Sequence, residues 1–469
     1  MSAAAPLSTN TVPGVGTVPP PWSTPKKLRA YRLVLWVVAT LLLLHAAATL
    51  AESRRTVKTI GKDTVPSIIA AEEIGYALAD LDANVANSLL GNAQHRQAAT
   101  AQIEKQRYKV TDSLVDAAQN ITYGDAEKIP IRSMMRDLGL YLERAAEARF
   151  RFEQGDAAGA RLSYWQATDL LHTKLLPAAS DLDAANKIEL DAAYWRGVKE
   201  TQGEEVIACF LGLVVVVALF GLQSFLFKRM RRILNGPLVA ATVVAVLLPG
   251  FLAYRYTTAR SSLRLAKEDA FDSIHSLVRA RALAFDANGD ESRFLLDTGN
   301  TRGFDVSFRS KVQSLSTSGT KSPPSKSDLA KRKQHATSGR KDPDTGLFWD
   351  ELDNVTFPGE YDAAARMVAG FRDYLTIDAR IRKLAAQGKQ DDAVELCIGT
   401  RPDESNAAFD SFDAALGSTV DINRAAFDRE INTTSQALAT AEVTTLLLWG
   451  LLVGLVWLGL RPRLAEYTA

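Results

Sequence analysis

Residues 206–250 read VIACFLGLVVVVALFGLQSFLFKRMRRILNGPLVAATVVAVLLPG. Two apolar runs, Val206–Phe227 and Leu238–Ala253, flank a short basic stretch, and no acidic residue interrupts either run. About 20 helical residues rise roughly 30 Å, the thickness of a bilayer's hydrocarbon core. Asn235-Gly236-Pro237 supplies a turn between the runs. The stretch therefore predicts a helical hairpin spanning a membrane. The third span is the shortest of the chain's apolar runs and carries Pro249-Gly250 near its end.

Working outward, two further runs, Leu33–Leu50 and Val443–Leu460, have the same character, which makes four spans. Lys26, Lys27, Arg29 and Arg32 precede the first span; Lys228, Arg229, Arg231 and Arg232 follow the second; Arg461 and Arg463 follow the fourth. The positive-inside rule places these three groups, and hence both termini, in the cytoplasm of a multi-pass cell-membrane protein. Arg54, Arg55, Lys58, Arg255 and Arg260 on the other side weaken the contrast without reversing it. A basic lead, an apolar core and small residues before Glu52 also fit a signal peptide. The length of the run and of the tail ahead of it favour a retained span.

The expected order is a disordered, Pro-, Ser- and Thr-rich cytoplasmic tail at 1–30, a span at 31–51, a first external helical bundle at 52–204 and a span at 205–227. A cytoplasmic basic loop at 228–236 and a span at 237–254 follow. A second external bundle at 255–441 carries a flexible insertion at 314–344, before a span at 442–460 and a cytoplasmic stub at 461–469. The fold class is all-α: four transmembrane helices with two extracytoplasmic helical bundles in tandem repeat. In the first external segment Ala71, Ile74, Leu78, Leu81, Val85 and Leu89 recur at steps of three and four, a narrow helical stripe.

The two external segments repeat one another. Asp82-Ala83-Asn84 with Ser88 recurs as Asp286-Ala287-Asn288 with Ser292; Tyr141-Leu142 and Gln154-Gly155 recur as Tyr374-Leu375 and Gln387-Gly388. The wider spacing of the later matches locates an insertion in the second copy, where Ser314–Asp344 turns polar and irregular.

The 469 residues carry a formal net charge of only +1, which gives no footprint for a nucleic-acid partner. No phosphate-binding loop, nucleophile elbow, metalloprotease or kinase signature occurs, so no enzymatic activity, catalytic residue or cofactor is expected. Five scattered histidines argue against a metal site, and Cys209 and Cys397 read as unpaired buried residues. Asp286 to Asp290 begins like a calcium loop, but Gly289 comes one place early and Asp297 stands where a Glu should close the loop.

The repeated Asp82, Asn84, Asp286 and Asn288 are the candidates for ligand binding or for polar bonds between helices. A buried acid needs a partner or a shifted pKa, and the interhelical role is favoured. Lys228, Arg229, Arg231 and Arg232 are candidates for contact with anionic lipid or a cytoplasmic partner. Within the spans His45 and Gln223 are the polar exceptions, and Gly450 and Gly454 suit close helix packing.

Ile60-Gly61-Lys62-Asp63-Thr64-Val65-Pro66-Ser67-Ile68 before a long helix resembles the four-helix-bundle sensor domains of chemoreceptors and sensor kinases. The whole layout, with the segment Phe285–Leu296, resembles the actinobacterial four-span membrane transducers of the GlnX type. That resemblance implies a glutamate- or aspartate-sensing route in which an external solute-binding lipoprotein signals through the membrane to the cytosolic serine/threonine kinase G. It carries over no functional residue. The sequence-based expectation is thus a signal transducer relaying an external nutrient signal to a separate cytosolic partner. A scaffolding protein of the cell envelope is the alternative, with a transporter component behind it.

Overall fold

The computed structural model describes residues 23–230, 235–318, 321, 325–337 and 344–466. Most of the expected disordered tail, Arg231 and Arg232 of the basic loop, and parts of the insertion lie outside the described residues.

Every regular element among the described residues is helical. The helices are α1 (Thr24–Lys58), α2 (Val65–Ser88), α3 (Ala93–Gln119), α4 (Asp125–Glu153), α5 (Ala157–Leu170), α6 (Leu176–Met230) and α7 (Gly236–Arg264). There follow α8 (Asp272–Leu296), α9 (Thr301–Leu315), α10 (Lys326–Thr337), α11 (Leu347–Asn354), α12 (Glu360–Ala386), α13 (Gln390–Ile398) and α14 (Ser405–Ala465). Three π-helical turns, Thr59–Thr64, Leu171–Leu175 and Leu265–Phe271, join α1 to α2, α5 to α6 and α7 to α8. Such turns insert one residue into the helical ladder and often sit at functional places.

The chain forms two compact units. The smaller comprises Met1–Ala47, Glu205–Ala253 and Glu442–Ala469, and so holds the four apolar runs. Leu35, Ala39, Leu219, Leu222, Ala241 and Leu452 pack in its interior. Only 28–39% of each apolar window is buried. Leu33, Leu44, Phe210, Phe220, Leu247 and Leu447 stand exposed, a continuous apolar surface that suits lipid rather than water. Gln223 donates to Thr242 Oγ1 at 2.8 Å, and Asn235 donates to the Gly459 carbonyl at 2.9 Å, which satisfies polar groups inside the unit. The close packing expected at Gly450 and Gly454 is not formed: nothing lies within 4 Å of where a Cβ would stand at either glycine. Gly459, which meets Leu238, and Gly212, which meets Pro249, take that role instead. Cys209, expected to be buried, is exposed because the apolar run that carries it lies on the surface of this unit.

The larger unit comprises Ala48–Glu204 and Tyr254–Ala441, so the two long segments that separate the apolar runs share one body and one apolar core. The predicted stripe Ala71, Ile74, Leu78, Leu81, Val85 and Leu89 is buried throughout. It is not narrow, however. Tyr76, Ala77, Ala79, Asp80, Asp82, Ala83 and Ala86 are buried as well, because α3 and α8 both pack along α2. Within the expected insertion, Lys326–Thr337 forms α10.

Local chemistry explains the helix ends. Asn92 caps α3 by accepting from the Gln94 and His95 amides at 3.0 and 3.1 Å, and Asp156 caps α5 by accepting from the Gly159 amide at 2.8 Å. The Glu127 carboxylate gathers the amides of Thr122 and Tyr123 at 2.7 and 2.6 Å; Glu360 gathers those of Thr356 and Phe357 at 2.6 and 2.7 Å. The chain leaves α4 at Gly155 (φ 80°) and α12 at Gly388 (φ 75°), a left-handed conformation that disfavours any residue with a Cβ.

Candidate functional site

The repeated Asp82 and Asp286 meet in the middle of the large unit. α2 and α8 pack side by side in the same direction: Tyr76 faces Phe285, Asp82 faces Arg293 and Asn87 faces Ser292. Asp82 is fully buried and accepts four hydrogen bonds, from Tyr141 (3.0 Å), Tyr164 (3.0 Å), Thr168 (3.1 Å) and Arg293 Nη2 (2.6 Å). Arg293, only 1% exposed, also reaches Asp286 at 3.2 Å, Asp290 at 2.5 Å and the Tyr164 hydroxyl at 3.1 Å. Lys311 of α9 closes the far side, 2.7 Å from Asp286 and 2.6 Å from Asp290.

His172 completes the set from the π-helical turn Leu171–Leu175. Its Nε2 donates to Asp286 at 2.9 Å and its Nδ1 faces the Thr168 carbonyl at 2.8 Å. Both ring nitrogens thus face acceptors, which selects the imidazolium. Burial pulls the His172 pKa down, but the hydrogen bond to Asp286 and its charge outweigh this and raise it. Burial likewise pushes Asp286 up, yet His172, Arg293 and Lys311 hold its carboxyl far below the usual range. Asp82, Asp286 and Asp290 therefore face Arg293, Lys311 and His172 in a densely hydrogen-bonded charge cluster.

The repeated asparagines go elsewhere. Asn84 and Asn288 line a cleft of about 400 Å³ enclosed by residues of α2, α3, α8 and α14. Its polar wall includes Asp80, Asp410, Asp413, Lys105 and Gln102. Its apolar wall is a row of rings, Tyr76–Phe285 and Phe285–Phe409, each pair with centroids 4.8 Å apart. Asp80 accepts from Asn84 at 2.6 Å and from Gln106 at 2.5 Å, and Arg281 grips Asp413 through two bonds of 2.6 Å. Burial, reinforced by the charge of Asp413, pushes the Asp80 carboxyl up to about 7. Of the candidate basic residues, Lys228 and Arg229 are exposed at the end of α6.

Arg293, Lys311, His172, Tyr164 and Thr168 escape a motif search, and Asp290 and Tyr141 are visible in the sequence only as part of a calcium-like loop and of the repeat. One signal was available: Arg293 stands three residues after Asp290 and seven after Asp286, on one helical face beside Phe294, Leu295 and Leu296. A lone arginine in an apolar run invites a carboxylate partner.

Residues 56–195 match the model of the actinobacterial sensor domain family. The matched residues include Asp82, Tyr141, Tyr164, Thr168 and His172, whereas Asp286, Asp290, Arg293 and Lys311 lie beyond the match, in the segment between the third and fourth apolar runs. Neither the curated proteins nor the solved structures contain a match to the chain. With the four apolar helices, the sensor-domain match points to a membrane sensor.

Replacing Arg293 by Met would leave Asp82, Asp286 and Asp290 buried without their shared cation, at a cost of about 3–5 kcal/mol. The thermal midpoint of the detergent-solubilised protein should fall steeply, while the exposed Lys331→Ala changes stability by no more than about 0.5 kcal/mol and leaves the midpoint nearly unmoved.

Stability should also fall as pH rises. Burial, with Asp378 beside Glu291 and Glu360 beside Glu351, pushes both glutamates up to about 8, as burial and Asp413 push Asp80 to about 7. A raised carboxyl keeps its proton in the folded state. Its contribution is complete below the ordinary carboxylate pKa and is lost as pH climbs through the folded value. Protonated His172 adds a loss of the same sign above its ordinary pKa. Denaturation followed from pH 4 to 9 should show declining stability. Asp80→Asn should flatten the slope between pH 4 and 7 by up to about 1.4 kcal/mol per pH unit.

Proposed function

We propose that the protein is a membrane signal transducer, without catalysis of its own, that reads an external amino-acid signal in the cleft between α2, α3, α8 and α14. The observation that carries the reading is the coincidence of a sensor-domain match over 56–195 with four membrane-length apolar helices in the same chain. The cleft's two signs of charge favour a zwitterion: Asp410 and Asp413, joined by Asp80 once an incoming ammonium displaces the proton that burial lets it retain, suit the ammonium, and Lys105 suits a carboxylate.

The second external segment is a copy of the first. Supporting this are the π-helical turns before α2 and α8, the paired turn-gathering Glu127 and Glu360, and the positive-φ Gly155 and Gly388. In this reading the tandem arrangement gives one chain the two-fold construction that a receptor dimer builds from two.

The large unit lies outside the cell membrane, and both termini and the 228–236 loop lie in the cytoplasm. Each of α1, α6, α7 and α14 supplies residues to both units, so a shift of helices around the cleft has a covalent path into the spans. The resemblance to GlnX-type transducers supplies the remaining parts. A solute-binding lipoprotein presents the ligand, and a cytosolic partner such as a serine/threonine kinase receives the signal.

Two measurements test these claims. In a cysteine-free background, Lys331→Cys should react with an impermeant maleimide on intact cells, and Lys228→Cys only after permeabilisation; the reverse pattern would overturn the topology. Calorimetry of the detergent-solubilised full chain against a panel of amino acids should find binding that Asp80→Asn weakens at least about tenfold, the equivalent of one lost charge-assisted hydrogen bond. Binding by no amino acid, or binding indifferent to Asp80→Asn, would reject the cleft as the amino-acid site.

A further inference from the structure

A second cluster in the large unit lies apart from Arg293 and from the cleft lining. Glu72 of α2, Asp183 of α6 and His275 of α8 each offer one ligand atom, all within 4.8 Å of one another. His275 Nε2 stands 3.1 Å from Asp183 Oδ1 and 3.5 Å from Glu72 Oε1. The three side chains are between 8 and 14% exposed. The histidines are scattered in sequence, but the fold brings this one against two acids from other helices.

Those separations have a chemical meaning. Four ligands about 2.0–2.1 Å from a tetrahedral metal stand about 3.3 Å apart along each edge of the tetrahedron. The two nitrogen-to-oxygen distances bracket that value, and the two carboxylate oxygens lie within 4.8 Å of one another, so small side-chain movements would close the three around an ion.

The charge of the three groups also suits an ion. Two carboxylates with a neutral imidazole balance a divalent cation completely, and a buried site strongly favours neutrality. The Phe271 ring stacks on His275 at 5.8 Å and restrains the imidazole.

We propose that Glu72, Asp183 and His275 bind one divalent transition-metal ion of the zinc class. One imidazole and two carboxylates favour Zn2+ or Co2+ over Mg2+ and Ca2+, which prefer all-oxygen sites. Three protein ligands leave the fourth position to water or an incoming group. The ion ties α2 and α6 to α8, and so joins the first external segment to the second at a place distinct from the Arg293 cluster.

The test uses the full chain in detergent, stripped with a chelator and reloaded with Zn2+ or Co2+. One equivalent should bind, raise the thermal midpoint, and with Co2+ give the intense visible bands of a four-coordinate site. X-ray absorption of the Zn2+ form should show a single imidazole among oxygen ligands. Glu72→Gln and Asp183→Asn preserve shape while removing charge. Each should weaken binding by more than the roughly 100-fold that loss of an outer partner can cost, while Glu73→Gln leaves it unchanged. Circular dichroism of the metal-free variants separates lost binding from lost folding, and the X-ray absorption readout needs no variant. Failure to bind either ion, a ligand shell without imidazole, or equal affinity in Glu72→Gln and the parent would each overturn the proposal.

Discussion

A guanidinium removed from water must find carboxylates, and Arg293 imposes that constraint on the whole large unit. It is 1% exposed, and its partners Asp82, Asp286 and Asp290 come from both long segments of that unit. The arrangement fixes the register of α2 against α8, because a slip of one residue would carry Asp82 off the face that meets Arg293. Tyr141, Tyr164 and Thr168 then occupy the remaining lone pairs of Asp82, and so bind α4 and α5 to the same point. An apolar core of alanines and leucines accepts many registers; the charge cluster accepts few.

The same tripeptide serves the core and the cleft for a geometric reason. Successive residues of an α-helix turn about 100°, so residues two apart point to nearly opposite sides. In Asp82-Ala83-Asn84 and Asp286-Ala287-Asn288 the aspartates face Arg293 and the asparagines face the cleft. A ligand that moved α2 relative to α8 would act on a pair of helices whose opposite faces are bolted together. The π-helical turn at Leu171–Leu175 ties the start of α6 to this cluster through His172.

The helical class, the four apolar runs and the buried stripe of α2 could be read directly, because each rests on periodicity or on unbroken apolar length. The repeated Asp82 and Asp286 were visible as candidates, and the need of a buried acid for a partner was visible with them. The partners were not. Tyr141, Tyr164 and His172 lie 59 to 90 positions beyond Asp82, and Arg293 lies 211 beyond it, so that no local spacing signals their meeting with Asp82. The stripe looked narrow because small alanines and polar Asp80, Asp82 and Asn87 do not register as apolar, yet the neighbouring α3 and α8 cover them. Gly450 and Gly454 carried a packing pattern that the chain leaves open, since a motif records what a helix surface permits and not which partner arrives.

The central claim is that Asp82 and Arg293 act as one unit between the two long segments of the large unit rather than as two independent contacts. A double-mutant cycle tests it most directly: Asp82→Asn, Arg293→Met and the pair together, with stability read from denaturation of the detergent-solubilised protein. The account predicts that the pair costs far less than the sum of the single changes, with a coupling of about 2–3 kcal/mol, the upper range for residues in one network. Additivity within about 0.5 kcal/mol would contradict it and would leave the buried charges as separate features of the core.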